Sequence, residues 1–394
     1  METRSTPFLR GALTVHQPVR GFRFGIDSVV LAGFSWVREG ERVLDLGTGS
    51  GILLLLLAAW HHPGPLTGLE RDPGLAELAR RNFRENGLGD RAEVLEGDLR
   101  REEAIPEASF DLVVCNPPYF PPREGRAAPP PERAEARHQV AAGPREVARA
   151  ARRALSAGGR LCLCFPREAL APWTEALHGA GLFPRLLREV RHGEGDRPYL
   201  LLLQAGTVPA PPLRLPPLTL REPGGAYTPE VAGWLGDGPP RGARFLCDGM
   251  VGRLAKYLRL LGVDAGYARK AEDDWLLAEA QRTGTVLVTR DRPLLERCRR
   301  KGVPSFDPGS DDPRRQLQAF RRAFPSLPGA GPPRCLACNA PVVEVPREEI
   351  RGRVPPYTYL THRRFAACPC CGKLTWEGSH LERFRRENPS LPTE

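Results

Sequence analysis

The sequence predicts an α/β protein with a mostly parallel, doubly wound sheet in its first part, a smaller α/β domain after it, and a cysteine-rich C-terminal segment. Three observations support this order. Apolar strand-like runs alternate with helical patterns from residue 42 onward, a proline- and glycine-rich stretch interrupts them near residue 240, and five of the ten cysteines lie beyond residue 334. We therefore expect four segments: a first domain over 1–235, a linker over 236–243, and further segments over 244–325 and 334–385.

The first segment shows a regular alternation of strand and helix patterns. Short runs rich in branched apolar residues predict strands over 42–46, 65–70, 92–96, 110–115, 160–165 and 199–204. Helical periodicity predicts helices over 28–36, 51–60, 73–86, 147–155 and 169–180. Because strands joined through helices pair in parallel, we expect ligands at the carboxyl ends of the strands.

A second, shorter α/β pattern follows the linker. Apolar runs predict strands over 244–247 and 285–289. Helical patterns predict helices over 251–261, 274–282 and 293–301. This segment is therefore predicted to be a small domain of its own.

The formal net charge of +10 is carried by the second part of the chain. Residues 1–240 hold 29 basic and 29 acidic residues, whereas 241–394 hold 28 and 18. A basic segment favours a polyanionic partner such as RNA, because each phosphate contact releases counterions. The alternative is a compositional bias toward arginine, since only four of the 57 basic residues are lysine.

No membrane or secretory segment is expected. The N-terminal residues lack an apolar stretch, and the longest apolar run, over 52–60, is too short to cross a bilayer. The scattered cysteines lie in or beside apolar runs, as small buried side chains do. We therefore expect a cytoplasmic protein without disulfides.

Small and acidic residues follow the first three strands of the predicted sheet. They are Asp45, Gly47, Gly49, Gly51, Glu70 and Asp98. Glycines let a cofactor approach the backbone, a carboxylate after the second strand can accept from both ribose hydroxyls, and one after the third can accept from an adenine amino group. The glycine loop has no basic residue, which favours S-adenosylmethionine over a phosphate-bearing cofactor. For each acid singly, the alternative is capping of the next helix.

The fourth strand ends in Asn116-Pro117-Pro118-Tyr119. An amino nitrogen on a planar ring is a poor nucleophile because its lone pair is delocalised. Acceptance of its two hydrogens by Asn116 Oδ1 and the Pro117 carbonyl localises that lone pair toward a methyl donor. Tyr119 can stack on a base that has left its helical stack.

These motifs resemble the class I S-adenosylmethionine-dependent methyltransferases of the Asn-Pro-Pro-Tyr type, which implies a Rossmann-like sheet. Residues 22–28, Arg137-His138, 216–218 and 227–230 further resemble bacterial tRNA adenine-N6 methyltransferases, which modify an adenine beside the anticodon of a valine tRNA. The resemblance implies that Asp27 helps close the cofactor site. It implies that Arg137 and His138 contact substrate phosphate, with helix capping as the alternative.

One stretch of the sequence departs from that family, and a protein amide is an alternative substrate. Residues 121–131, rich in proline, arginine and alanine, form an insertion beside the predicted active site. A glutamine side-chain amide, as in release factors, presents the same two hydrogens as an adenine amino group. Enzymes that methylate release factors carry a helical domain in front of the cofactor motif, and here that motif starts at residue 45. We therefore favour nucleic acid.

Three acids in the second domain are candidates for a divalent-cation site. Asp248 and Asp291 follow predicted strands, and Asp274 opens a helix. Oxygen ligands favour Mg²⁺ or Mn²⁺, which can activate water for phosphodiester cleavage. Helix capping is the alternative for each of the three.

The second domain also resembles a known family. Residues 245–264, Asp273-Asp274, 288–291 and the terminal cysteines resemble the PIN-like RNase domain at the C-terminus of the Mut-seven exonucleases. The resemblance implies Asp248, Asp274 and Asp291 as metal-binding acids, with Asp273 as a possible substitute for Asp274. A non-catalytic RNA-binding module is the alternative.

The last cysteines form two Cys-x-x-Cys knuckles. We expect them to bind one structural Zn²⁺ in a C-terminal ribbon through Cys335, Cys338, Cys368 and Cys371. Cys371 is preferred to Cys370 because Gly372 follows it and permits the knuckle turn. A hairpin of strands over 341–345 and 358–365 is predicted between the knuckles. The whole chain is thus interpreted as two fused enzymes that both act on RNA, with tRNA as the expected substrate of the methyltransferase. The alternative is that the two halves act on unrelated substrates.

Overall fold

The computed structural model describes residues 2–19, 23–38, 40–61, 63–117, 142–236, 244–325 and 332–376. The chain divides into two compact units, Met1–Pro239 and Pro240–Glu394, and this boundary falls inside the predicted linker. None of the helices in the described ranges has the length and apolar character that spanning a bilayer requires.

The first unit alternates strands and helices. Its strands are β1 (Thr3–Phe8), β2 (Leu13–Pro18), β3 (Val43–Leu46), β4 (Leu66–Glu70), β5 (Ala92–Glu96), β6 (Phe110–Cys115), β7 (Leu155–Pro166), β8 (Phe183–Arg191), β9 (Leu200–Gly206), β10 (Leu213–Arg214) and β11 (Leu218–Thr219). The helices in its described part are α1 (Ile26–Phe34), α2 (Ile52–Trp60), α3 (Pro73–Glu85), α4 (Pro144–Ala154), α5 (Leu170–Gly179) and α6 (Pro229–Gly236).

Nine of these strands form one sheet in the order β10-β8-β9-β7-β6-β3-β4-β5, with β11 also paired to β8. β9 runs antiparallel to both of its neighbours, and the other pairs are parallel. From β3 the chain moves outward to β4 and β5, whereas β6 and β7 lie on the other side. The order therefore reverses between β3 and β6, at the switch point where open α/β sheets bind ligands.

The central strands are apolar because helices cover both faces of the sheet. Leu44 and Leu46 of β3, and Val113 of β6, are fully buried. They belong to a core that α4 and α5 complete with residues such as Ala151 and Leu177. The predicted α/β, doubly wound fold class is confirmed.

Several parts of the first unit were not predicted. β8, β10 and β11 add strands to the sheet, α6 follows them, and β1 and β2 form an antiparallel hairpin at the N-terminus. Asn82 of α3 holds this hairpin: it accepts from the His16 backbone N–H at 2.8 Å and donates to the His16 carbonyl at 3.0 Å. Its amide also donates to the Ser50 carbonyl at 2.8 Å. The hairpin and the glycine loop are thus fixed by one buried side chain.

The second unit has a smaller parallel sheet in the order β13-β12-β14-β15. The strands are β12 (Phe245–Cys247), β13 (Ala265–Tyr267), β14 (Val286–Val288) and β15 (Ser305–Phe306). The helices are α7 (Gly252–Leu260), α8 (Asp273–Thr283), α9 (Arg292–Arg300) and α10 (Pro313–Ala323). The strands β13 and β15 and the helix α10 were not predicted; α10 supplies Phe320 to the aromatic core around Phe245.

The cysteine-rich segment forms a three-stranded antiparallel sheet of β16 (Val343–Val345), β17 (Phe365–Ala367) and β18 (Leu374–Trp376). The strand predicted over 358–365 is wrong over most of its length, because α11 (Pro356–Thr361) occupies that segment. Pro356 stands in the first turn of this helix, where its missing N–H costs nothing. The hairpin partner of β16 starts only at Phe365.

Candidate functional site

The glycine loop after β3 faces open space at the carboxyl edge of the sheet. Gly47, Gly49 and Gly51 have positive φ values of 77°, 57° and 82°, a conformation that side-chain-bearing residues rarely adopt. A Cβ at Gly47 or Gly49 would meet nothing within 4 Å. A Cβ at Gly51 would lie 2.7 Å from the ring of Phe83. The loop is therefore open on the side where a cofactor can enter and closed against α3.

Asp45 lies at the base of this loop and is almost completely buried. Its Oδ2 accepts from the Thr48 hydroxyl at 2.8 Å, whereas its Oδ1 is buried without a hydrogen-bond partner among the described residues. Burial raises the pKa of Asp45 to about 7, the hydrogen bond from Thr48 opposes this, and the charge of Glu70 adds to it. A buried acceptor without a partner is costly, and such atoms mark places where a ligand donates.

Glu70 and Asp98 follow β4 and β5 at the same edge. Glu70 accepts from the Gly49 N–H at 2.9 Å and from two backbone N–H groups at the start of α3. Both oxygens of Asp98 accept from Arg100 Nε at 2.9 Å, and this guanidinium holds the pKa of Asp98 below its usual range. The three predicted acids thus lie at the same edge of the sheet, and Glu70 contacts the glycine loop directly.

Asn116 follows β6 on the other side of the switch point. Its Nδ2 donates to the Ser28 hydroxyl at 3.1 Å, and its Oδ1 accepts from the Cys164 thiol at 3.1 Å. A carbonyl oxygen has two lone pairs and can accept two hydrogen bonds. Asp27 stands beside Ser28 in the first turn of α1.

The structure describes only some of the remaining predicted residues of this site. Pro117 is described and buried. Tyr119, the insertion over 121–131, and Arg137 with His138 lie outside the described residues, as does Phe22 of the 22–28 motif.

Ser28 and Cys164 were not predicted as site residues. Cys164 lies beside Asn116 because β7 pairs with β6 in the register Cys115–Leu163. The sequence carries no local signal for this contact, since it depends on the order of strands in the sheet.

The donor set of the first site fits S-adenosylmethionine. The unpartnered Asp45 oxygen suits a cationic amino group, Glu70 suits ribose hydroxyls, and the open glycine positions suit close approach of the nucleoside. Asn116 follows β6 at the same edge of the sheet. This arrangement can bring a planar amino nitrogen to a sulfonium methyl.

In the second unit, Asp248 and Asp291 lie at adjacent strand ends, joined through Thr289. The buried Thr289 hydroxyl donates to Asp248 and accepts from the Asp291 backbone N–H at 2.9 Å. Burial raises the pKa of Asp248, hydrogen bonds from Thr289 and the backbone oppose this, and the charge of Asp291 adds to it. Asp291 also caps α9 through Leu294 N–H at 2.7 Å. Thr289 was not predicted as a site residue.

Asp274 is placed apart from this pair. It opens α8 with its side chain 90% exposed and forms an ion pair with Arg297 of α9. Asp273 lies 3.8 Å from the same guanidinium. The described residues form no group of three acids that could hold a metal ion. In this arrangement Asp248 and Asp291 lie together, and Asp274 is paired with Arg297 instead.

Four cysteines converge in the ribbon. The Sγ atoms of Cys335, Cys338, Cys368 and Cys371 all lie within 4.8 Å of one another. The Cys335–Cys371 and Cys338–Cys368 sulfur distances are 3.6 and 3.3 Å, close to the separation of about 3.8 Å expected for four thiolates around Zn²⁺. Cys370 is buried but does not belong to the group. The cluster can hold zinc, and four protein ligands make such a site structural.

Comparison with known proteins gives matches for both units. The model of a methyltransferase domain matches residues 43–128, and that of the Mut7-C RNAse domain matches residues 243–387. A tRNA1(Val) (adenine(37)-N6)-methyltransferase from Shewanella amazonensis is 36% identical over 46% of this chain and 77% of its own length. A protein of the same name from another Shewanella strain is 31% identical over 54% of this chain and 89% of its own length.

Among solved structures, a predicted O-methyltransferase from Agrobacterium tumefaciens is 26% identical, over 55% of this chain and 99% of that chain, with a TM-score of 0.45.

The fold, the glycine loop at the switch point and the family matches together define an S-adenosylmethionine-dependent methyltransferase joined to a Mut7-C RNase domain. At 36% identity over most of its relative, the chain belongs to the tRNA1(Val) (adenine(37)-N6)-methyltransferase family.

Proposed function

We propose that the first unit transfers a methyl group from S-adenosylmethionine to N6 of an adenine in RNA, with tRNA as the substrate. The observation that carries this proposal is the position of the Asn116 amide, which donates to Ser28 and accepts from Cys164 at the switch point of the sheet. The names of the Shewanella relatives support the choice of adenine in tRNA.

The residues of the edge have separate tasks in this proposal. Asp45, Glu70, Asp98 and Asp27 hold the cofactor with Gly47, Gly49 and Gly51. Bound S-adenosylmethionine would supply an electrophilic methyl group, with S-adenosylhomocysteine as the leaving group, and the methylated nitrogen releases one proton to solvent. Asn116 Oδ1 and the Pro117 carbonyl accept the two amino hydrogens, which concentrates the nitrogen lone pair, and Tyr119 stacks on the extruded base. Alignment of nitrogen and methyl group in one site lowers the entropic part of the barrier.

The proposal is tested by measuring which substrate receives a tritiated methyl group. The full chain is incubated with labelled S-adenosylmethionine and either tRNA or a peptide release factor. We expect label in tRNA, lowered about 100-fold in Asn116→Ala because one of the two acceptors is lost. Asp248→Asn, in the other unit, is the matched control and should methylate as the parent does. Label in the release factor alone would establish glutamine methylation instead.

We propose further that the second unit cleaves RNA. The Mut7-C match and the positive charge of residues 241–394 support this. Asp248 and Asp291 are the acids we place at the cleavage site, with Mg²⁺ or Mn²⁺ as the predicted cation. Asp274 would join them only after releasing Arg297. The four cysteines hold a structural zinc in this proposal.

A further inference from the structure

Tyr199 lies at the carboxyl edge of the large sheet, two strands from Asn116. It immediately precedes β9, whose first residue, Leu200, pairs with Pro166 at the end of β7. The Tyr199 carbonyl accepts from the Arg167 N–H at 3.1 Å. Because β9 runs antiparallel to β7, the start of β9 and the end of β7 meet where the methyltransferase motifs lie.

The ring of Tyr199 is held in one orientation. It stacks on His192 with the ring centroids 4.2 Å apart and an angle of 3° between the planes. Its backbone N–H donates to the Val190 carbonyl at 3.0 Å. Nearby, the Arg221 guanidinium lies 4.2 Å from the centroid of the Tyr227 ring. Aromatic faces and a cation at this edge are suited to a nucleic acid substrate.

The Tyr199 hydroxyl is shielded from solvent and has no hydrogen-bond partner in the part of the chain that the structure describes. Burial raises the pKa of this phenol, and Asp27, Cys164 and Tyr227 lie close enough for their charges to raise it further. The hydroxyl is thus a neutral donor beside two residues of the methylation site, since Cys164 contacts Asn116 and Asp27 precedes Ser28. An unsatisfied buried hydroxyl costs stability, so its retention calls for a ligand.

The target base has acceptors as well as the two N6 hydrogens. Asn116 Oδ1 and the Pro117 carbonyl are acceptors, and they pair with the two N6 hydrogens. The ring nitrogens N1 and N7, which lie on either side of the N6 amino group, accept hydrogen bonds and need a donor. Neither Asn116 Oδ1 nor the Pro117 carbonyl supplies one.

We propose that Tyr199 donates its hydroxyl hydrogen to a ring nitrogen of the target adenine and thereby determines specificity for a nucleobase. This inference rests on the proposed function of the first unit and deepens it. A glutamine side chain has the same two amide hydrogens but no ring nitrogen, so the contact separates an adenine substrate from a protein amide. A site with a hydrogen-bond donor disfavours analogues that leave this donor unpaired.

The test combines one substitution with two base analogues. A full-length valine tRNA is assembled by ligation with adenine, 1-deazaadenine or 7-deazaadenine at the position whose methylation has been mapped. The full chain and its Tyr199→Phe variant are compared by kcat/KM. Phenylalanine keeps the stacking on His192, so the variant retains the packing of the edge.

The parent enzyme should lose about tenfold in kcat/KM with one of the two analogues, the one that lacks the contacted nitrogen. Tyr199→Phe should lose about tenfold with adenine and show no further loss with that analogue, because the hydrogen bond is already absent. If the variant has a kcat/KM lower than the parent's by the same factor for all three tRNAs, or a kcat/KM equal to the parent's for all three, the inference is overturned. Absence of methylation by the parent enzyme on adenine would instead overturn the proposed function, and the inference with it.

Discussion

Cofactor binding should weaken as the pH falls below 7, because Asp45 must ionise in a buried position. Burial raises the pKa of this carboxyl from its ordinary 3.8 to about 7. Its ionisation in the empty site therefore costs about 4 kcal/mol more than in water. A carboxyl with a raised pKa stabilises the empty fold fully below pH 3.8, and this contribution is lost as the pH rises through 7.

In the empty site Asp45 prefers its protonated form. The bound cofactor reverses this preference, since its cationic amino group favours the Asp45 carboxylate. Below pH 7 the proton must leave before binding, so the dissociation constant should rise about tenfold for each unit by which the pH is lowered. Just above pH 7 it should be constant. Isothermal titration with S-adenosylhomocysteine between about pH 5.5 and 7.5 measures this, because the ligand's amino group stays charged in that range.

Two variants separate Asp45 from general effects of pH. Asp45→Asn should bind with little dependence on pH over the same range, since no proton has to leave. Asp98→Asn should keep the full slope, because Arg100 holds the pKa of Asp98 below its usual range and this acid is already ionised. The assignment of Asp45 to the cofactor site would be refuted by a dissociation constant of the parent protein that does not change with pH. It would also be refuted if the dissociation constant of Asp45→Asn changed with pH as steeply as that of the parent.

Two further predictions concern the second unit. Metal analysis of the purified Cys371→Ser variant should show a loss of zinc, because one of the four ligands is replaced. Cys370→Ser should keep its zinc, since the Cys370 sulfur lies outside the cluster. Equal zinc contents in the two variants would contradict the choice of ligands. Asp248→Asn should lower divalent-dependent RNA cleavage about 100-fold, while Glu296→Gln, a change at a half-buried side chain of α9, leaves it unchanged. Unchanged cleavage in Asp248→Asn would contradict the placement of the cleavage site at Asp248.

The elements that could be predicted are those with a strong local signal. β3, β4 and β6 are short apolar runs that end in glycine, acid or Asn-Pro, and both the sequence and the fold place ligand chemistry at those ends. The Cys-x-x-Cys spacing likewise favoured Cys371 over Cys370, and the structure gathers Cys371 with the other three sulfurs.

The elements that were missed depend on neighbours that are distant in sequence. β8 mixes apolar and charged residues over Phe183–Arg191, so its strand signal is weak beside that of the more apolar β9. The β-branched residues near Thr358 suggested a strand, but Pro356 starts a helix there. Cys164 and Tyr199 reach the site only through the pairing of β7 with β6 and β9. No periodicity in the chain could have indicated those contacts.

The identity of the methylated nucleoside tests the central claim most directly. Bulk tRNA is incubated with the full chain and S-adenosylmethionine that carries a deuterated methyl group, digested to nucleosides, and analysed by mass spectrometry. We predict deuterated N6-methyladenosine from the parent and from Asp248→Asn, and its loss in Asn116→Ala. Label in any other nucleoside, or unchanged N6-methyladenosine in Asn116→Ala, would contradict the assignment of the Asn116 site to adenine N6.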